Sequence, residues 1–236
     1  MSFPKISRSI TKDSEHVKVQ FLTESLELIL DRNKCVGCGT CARICPKQAI
    51  SRGPVGYSRR FPATEEIIPE VYNPRKCVFC GSCVVMCPFS ALTLKKDGEV
   101  INLEDIPIVA KNVVPKIEFE AKKLKTGRIA KQYAKAEVKV IDEECAKGCG
   151  SCAEVCPSGT IEIAKRPEHG WEMSKNVEVV DPDACVACGA CDNACPTGAL
   201  QLKITEVKTS GEFSELFWPP LVERLKTLRW SKKKEE

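Results

Sequence analysis

No stretch of the 236 residues approaches the roughly 18 consecutive apolar positions that a membrane-spanning helix needs. The opening Met1-Ser2-Phe3-Pro4-Lys5 lacks the basic-then-apolar layout of a secretory signal. A cytoplasmic protein without a transmembrane segment is therefore expected. Nucleotide-cradling patterns are missing too: neither G-x-G-x-x-G nor G-x-x-x-x-G-K-[ST] occurs, and there is no C-x-x-C-H for haem. Histidine is scarce, with only His16 and His169, neither in a triad-like or ligand-like setting. These gaps remove the usual starting points for substrate chemistry and lead us to expect a non-catalytic chain.

What the chain does have is cysteine, 16 in all. In a reducing compartment evenly spaced cysteines are metal ligands more readily than disulfides. They fall into four runs: Cys35-x2-Cys38-x2-Cys41-x3-Cys45-Pro46, Cys77-x2-Cys80-x2-Cys83-x3-Cys87-Pro88, Cys145-x3-Cys149-x2-Cys152-x3-Cys156-Pro157 and Cys185-x2-Cys188-x2-Cys191-x3-Cys195-Pro196. None is left over. Glycine follows the second cysteine each time (Gly39, Gly81, Gly150, Gly189), where a chain wrapping closely round a metal core gains from having no Cβ. Zinc sites use separated cysteine pairs, whereas here three cysteines crowd one loop and a proline follows the fourth, which is the spacing of cubane [4Fe-4S] ligation.

In that spacing the first three cysteines reach one cluster and the fourth ligates the cluster of a partner run. The intervals 46–76 and 157–184 are short, and the central interval 88–144 is about twice as long, so the runs pair two and two. The expected sets are Cys35, Cys38, Cys41 and Cys87 for cluster 1, and Cys77, Cys80, Cys83 and Cys45 for cluster 2. Cluster 3 takes Cys145, Cys149, Cys152 and Cys195, and cluster 4 takes Cys185, Cys188, Cys191 and Cys156. The formal charge of +4 would then become about −4 with four oxidised clusters at about −2 each.

Alternating apolar runs flank the motifs and read as strands: 26–30, 91–94, 138–141 and 199–202, with 160–163 and 177–180 as an inner pair in the second half. In the first half the inner pair is expected at 49–51 and 67–72. The fold class that follows is α+β, two tandem ferredoxin-like βαββαβ domains, each with two [4Fe-4S] clusters, plus N- and C-terminal extensions. The expected boundaries are an N-terminal extension over 1–23, a first domain over 24–96, a connecting arm over 97–136, a second domain over 137–205 and a docking tail over 206–236. Domains this small rely on the clusters for much of their stability.

Each half resembles the bacterial-type ferredoxin with two [4Fe-4S] clusters, and the tandem resembles an archaeal polyferredoxin. The stretches Cys35 to Ile50, Cys77 to Leu92 and Asp97 to Lys116 look like units of the polyferredoxin subunit of formylmethanofuran dehydrogenase. The resemblance implies an electron-transfer subunit that relays single electrons between a redox partner and a tungsten or molybdenum catalytic subunit of an anaerobic complex. Alternatives are a stand-alone diffusible polyferredoxin, or the iron–sulfur subunit of another molybdopterin oxidoreductase or a hydrogenase. In molybdopterin iron–sulfur subunits the first motif pairs with the fourth and the second with the third; the compact fourth motif and the central gap favour sequential pairing here.

Other features carry narrower expectations. The extra residue in the third motif places Lys147 beside cluster 3, where a cation raises the reduction potential. The basic stretch Ala121 to Lys135 reads as a solvated connecting helix or arm; a nucleic-acid role is not expected, since aromatic residues do not interleave it in the manner of a base-stacking groove. Loops 53–62 and 166–171 are expected over the cluster faces. In the tail, Leu221, Leu225 and Leu228 share a helical face beyond Trp218 and need a cover, for which docking to another subunit is the expectation. The N-terminal stretch to Thr23 carries no readable chemistry.

Overall fold

The computed structural model describes residues 4–51, 71–146, 149–164, 176–226 and 228. The first half is built on strands β1 (Lys5–Ile10), β2 (Ser14–Gln20) and β3 (Ser25–Asp31), short helices α1 (Thr40–Ile44) and α2 (Ser82–Val85), and strands β4 (Leu92–Lys96) and β5 (Glu99–Val100). The five strands form one sheet in the order β1-β2-β3-β4-β5, antiparallel throughout. Leu28 pairs with Leu94 and Leu30 with Leu92, and all four side chains are buried. Period-2 alternation puts them on one face, the face that receives the cysteine loops.

The N-terminal stretch, expected only as an extension, is a hairpin that widens this sheet. Val17 and Val19 sit opposite Leu28 and Leu26, and both valines are buried. Between them and the turn lies Glu15, only 3 % exposed, which accepts hydrogen bonds from Arg8 Nε at 2.8 Å and from the Val71 amide at 3.1 Å. A buried carboxylate so satisfied ties the hairpin to the chain re-entering after the interval between the first two motifs. His16 bonds Glu27 and Ser14. Of the inner pair expected in this half, Ser51 makes a single bridge contact and residues 67–70 lie outside the described residues.

The segment expected as a connecting helix or arm holds α3 (Pro107–Ala110), β6 (Lys116–Ile117), and a hairpin of β7 (Glu120–Lys123) and β8 (Ile129–Gln132). Its basic residues are thus strand and turn, with Gly127 at φ 79° in the tight turn. The second half then runs β9 (Ala134–Val140), α4 (Ser151–Val155), β10 (Ile161–Ile163), β11 (Val177–Val179), α5 (Ala190–Ala194) and β12 (Leu200–Val207). β9 pairs with β12, matching Val140 to Leu200 and Val138 to Leu202, and β10 pairs with β11. The last described elements are β13 (Thr209–Ser210), which pairs with β6, and α6 (Trp218–Lys226).

The halves share one apolar core. The expected apolar face of the tail exists: Trp218, Leu221, Leu225 and Leu228 are all buried. It is covered by the chain itself, with α6 lying against α1 of the first half and β12 of the second. Arg224 donates from Nη2 to the Cys45 carbonyl at 2.6 Å. The face expected to dock on another subunit is therefore closed, because both halves already supply the apolar surface it needs; Leu216 and Phe213 ahead of it stay outward.

Candidate functional site

Each motif folds by the same local rules. Glycine occupies the N-cap of all four short helices, at φ 71° to 80° for Gly39, Gly81 and Gly189, and at φ −126° for Gly150 of the lengthened third motif. A left-handed turn there folds the first two cysteines back beside the third, which stands in the first turn of the helix. The fourth cysteine lies four residues after the third. On a continuous helix the two would share a face, but proline follows, and a residue before proline is driven out of the helical region. Cys45, Cys156 and Cys195 accordingly cap their helices in extended conformation, with ψ of 111° to 112°. That break swings each fourth sulfur toward the neighbouring loop.

The structure brings the cysteines together in fours. Cys45, Cys77, Cys80 and Cys83 line a cavity of about 400 Å³ with Leu28, Phe79 and Leu94. Cys145, Cys149, Cys152 and Cys195 line one of about 300 Å³ with Val140, Val177 and Leu200. Cys156, Cys185, Cys188 and Cys191 line one of about 280 Å³ with Val138, Ile161 and Leu202. Cys35, Cys38, Cys41 and Cys87 form the remaining group: burial pushes the Cys35 thiol up to about 12, with Cys38 and Cys87 adding to it, and Cys41 is raised by burial and then by Cys35 and Cys38. We call these groups cages 1 (Cys35, Cys38, Cys41, Cys87), 2 (with Cys45), 3 (with Cys195) and 4 (with Cys156). The sheet residues that alternate inward form the floor of every cage.

The electrostatics state what such cages need. Burial, and then the neighbouring sulfurs, raise Cys77 and Cys152 to about 11 and Cys83, Cys188 and Cys191 well above the ordinary range. Four buried sulfurs cannot ionise together unless positive charge is supplied among them. Donors already point at the sulfurs: the amides of Gly37, Ala49, Ala91, Ala187 and Leu200 reach Cys35, Cys45, Cys87, Cys185 and Cys195 at 3.2 to 3.4 Å. Thr40 and Ser82 place hydroxyls 3.3 and 3.2 Å from Cys38 and Cys80, and Cys149 Sγ donates to Ser151 Oγ at 3.5 Å. This donor set, four sulfurs round an apolar cavity with amides and hydroxyls behind them, fits an iron–sulfur cube. Among the described residues no three His, Cys, Asp or Glu side chains close on a single-ion geometry.

Sequence reasoning found all 16 cysteines but not these hydroxyls, although a Ser or Thr two residues after the second cysteine recurs in three motifs and is Ala190 in the fourth. It also missed the strap at 131–133. There the Lys131 amide bonds the Pro88 carbonyl at 2.7 Å, Tyr133 Oη donates to the Met86 carbonyl at 2.8 Å, and Gln132 Nε2 donates to the Cys185 carbonyl at 2.7 Å. The strap thus touches a cage loop in each half. Lys147, His169 and the two loops expected over the cluster faces lie outside the described residues.

Short helices opened by glycine, closed by Cys-Pro and laid on a paired sheet so that their sulfurs interleave define an iron–sulfur protein of the ferredoxin type. A family model of the 4Fe-4S dicluster domain matches residues 34–91 and again 144–199, and a second model of the same description matches 69–157. The chain belongs to this 4Fe-4S dicluster family, and its tandem arrangement is that of a polyferredoxin. Because the second match straddles the second and third motifs, family membership alone does not state which motifs share sulfurs; the grouping above comes from the coordinates. Among solved structures, a chain of the formate dehydrogenase–heterodisulfide reductase–formylmethanofuran dehydrogenase complex from Methanospirillum hungatei is 26 % identical, covers 95 % of this chain and 92 % of its own length, and superposes with a TM-score of 0.76. No curated protein sequence matches the chain.

Proposed function

We propose that the chain is a non-catalytic electron-transfer subunit holding four [4Fe-4S] clusters, one per cage. The observation that carries this is the sorting of all 16 cysteines into four groups of four, buried or half-buried, each group drawing three sulfurs from one loop and one from the loop of the paired motif. When bound, each cluster supplies a one-electron couple with little change of geometry. The chain's residues do the rest. The thiolates hold the iron, the amide and hydroxyl donors stabilise the added negative charge on the sulfurs, and Leu28, Leu94, Leu200 and Leu202 exclude water from the cage floors.

Full-length similarity to a chain of the Methanospirillum complex supports a place in a cytoplasmic oxidoreductase assembly, formylmethanofuran dehydrogenase being the member that the motif resemblance favours. Among the described residues no helix is long and apolar enough to cross a membrane. Partner contact is assigned to outward apolar side chains near the tail, Leu216 at 92 % exposure and Phe213 at 38 %. Anaerobic purification of the tagged native chain tests the subunit reading. A stoichiometric catalytic subunit carrying tungsten or molybdenum is expected; a chain that elutes alone with all its clusters is a diffusible carrier and refutes it.

A further inference from the structure

Arg43 lies in α1, two residues after the third cysteine of the first motif, and is 4 % exposed. A guanidinium buried to that degree costs several kcal/mol unless an anion compensates it. Among the described residues no carboxylate lies within ion-pair distance of it. Its hydrogen bonds go to neutral oxygens: Nη1 to the Cys38 carbonyl at 3.2 Å, and Nη2 to the Cys188 carbonyl at 3.2 Å and Thr40 Oγ1 at 3.0 Å; Nε has no partner. Cys38 belongs to cage 1 and Cys188 to cage 4, so the cation stands where the two halves of the chain meet.

The meeting has an internal symmetry. The residue equivalent to Arg43 in the fourth motif is Asn193, and its Nδ2 donates back to the Cys38 carbonyl at 2.8 Å. Thr40 Oγ1 lies 3.4 Å from the Cys188 carbonyl. In the second and third motifs the equivalent positions hold Val85 and Glu154. Tyr133 is raised by burial and by Cys38, Cys87 and Cys188, with Arg43 acting against them. Gly189 makes room for the approach: at φ 80°, a Cβ there would stand 3.3 Å from Arg43 Nη1 and 2.6 Å from Leu228 Cδ2.

We propose that Arg43 is the shared counter-charge of the clusters in cages 1 and 4, and that electrons cross between the halves at this junction. The inference rests on the reading that the cages hold [4Fe-4S] clusters. In the crossing one cluster loses one electron and the facing one gains it, with no bond or proton moving. A cation placed between the two favours the reduced state of both. Cages 2 and 3 are then the outer sites. Cage 2 adjoins cage 1 across the packed helices α1 and α2, and cage 3 shares the β9–β12 sheet with cage 4.

The test is EPR-monitored potentiometry of the intact, cluster-loaded chain, with Cys38→Ser and Cys188→Ser marking the signals of cages 1 and 4. In Arg43→Gln both marked midpoints are expected to fall together, each by a reduction constant of roughly tenfold, about 59 mV for one electron, with the other two unmoved. Arg43→Lys should restore them. If Arg43→Gln does not retain its clusters, Asn193→Asp sets a negative charge beside the Cys38 carbonyl that Arg43 also bonds and should lower the same two midpoints. A shift confined to one cluster, a shift of all four, or no shift in the variant that retains its clusters overturns the proposal. Iron and acid-labile sulfide on the parent chain judge the cluster reading separately: a parent without four clusters refutes that reading, whatever the variants do.

Discussion

The missing hydroxyl of the fourth motif offers a gain-of-interaction experiment. In the first three motifs Thr40, Ser82 and Ser151 stand 3.2 to 3.5 Å from the second cysteine's sulfur, while the fourth has Ala190, which is buried. Ala190→Ser should add one O–H donor toward Cys188. A hydrogen bond to a charged acceptor contributes roughly 1.5–3 kcal/mol. Only the part that grows when the cluster takes an electron affects the potential, and that electron is spread over the whole cube and its four thiolates. Taking about a third of the bond gives ~0.5–1 kcal/mol, or about 20–45 mV upward for a one-electron couple. The assay is a redox titration of the parent and variant chains under identical anaerobic conditions. Ser82→Ala should shift cluster 2 downward by a similar amount. An unchanged or lowered midpoint for the cluster at Cys188, with the serine present and the cluster intact, would refute the argument that these hydroxyls act on the sulfurs.

Three further outcomes follow from the coordinates. Gly189→Ala forces a side chain into a left-handed turn and within 2.6 Å of Leu228 Cδ2, so it should destabilise the chain by about 1–3 kcal/mol in denaturant titration and weaken the cluster-4 signal first. Leu225→Ala removes a side chain of α6 only 1 % exposed; a loss of about 2–5 kcal/mol is expected in thermal or chemical unfolding, with iron content unchanged before the transition. In iron-free protein whose cages persist, Cys35, Cys77 and Cys152 ionise near 12, 11 and 11, above the roughly 8.5 of an unfolded thiol. Folded values above unfolded ones mean that this stabilisation is complete below about pH 8.5 and is lost as pH rises toward 12. Thiolate absorbance of the iron-free chain should therefore rise well above pH 9, and a titration near the free-cysteine value would show that the cages collapse without iron.

The grouping of the cysteines was legible because their spacing dictates it. Three cysteines in a loop and a fourth before proline leave little freedom in where the sulfurs go. Strands β3, β4, β9, β10, β11 and β12 were legible because their apolar alternation abuts those loops. The β1–β2 hairpin was not, since Ser14 to Gln20 mixes Val17 and Val19 with Lys18 and with a Glu15 that is buried only because Arg8 and the Val71 amide meet it. Residues 120–132 form a hairpin despite their lysines, and Gly127 in its turn was the available signal. The tail's leucine spacing announced a buried face but not its cover, because α1 and β12 come to it only through the packing of the two halves. Arg43 had no local signal at all: its setting exists only when residues 145 positions apart are brought together.

The central claim is that the sixteen thiolates hold iron–sulfur cubes, and elemental and sulfide analysis of anaerobically isolated protein tests it most directly. About 16 iron and about 16 acid-labile sulfide per chain are predicted, four of each in every cage. About four zinc atoms with negligible sulfide would contradict the account.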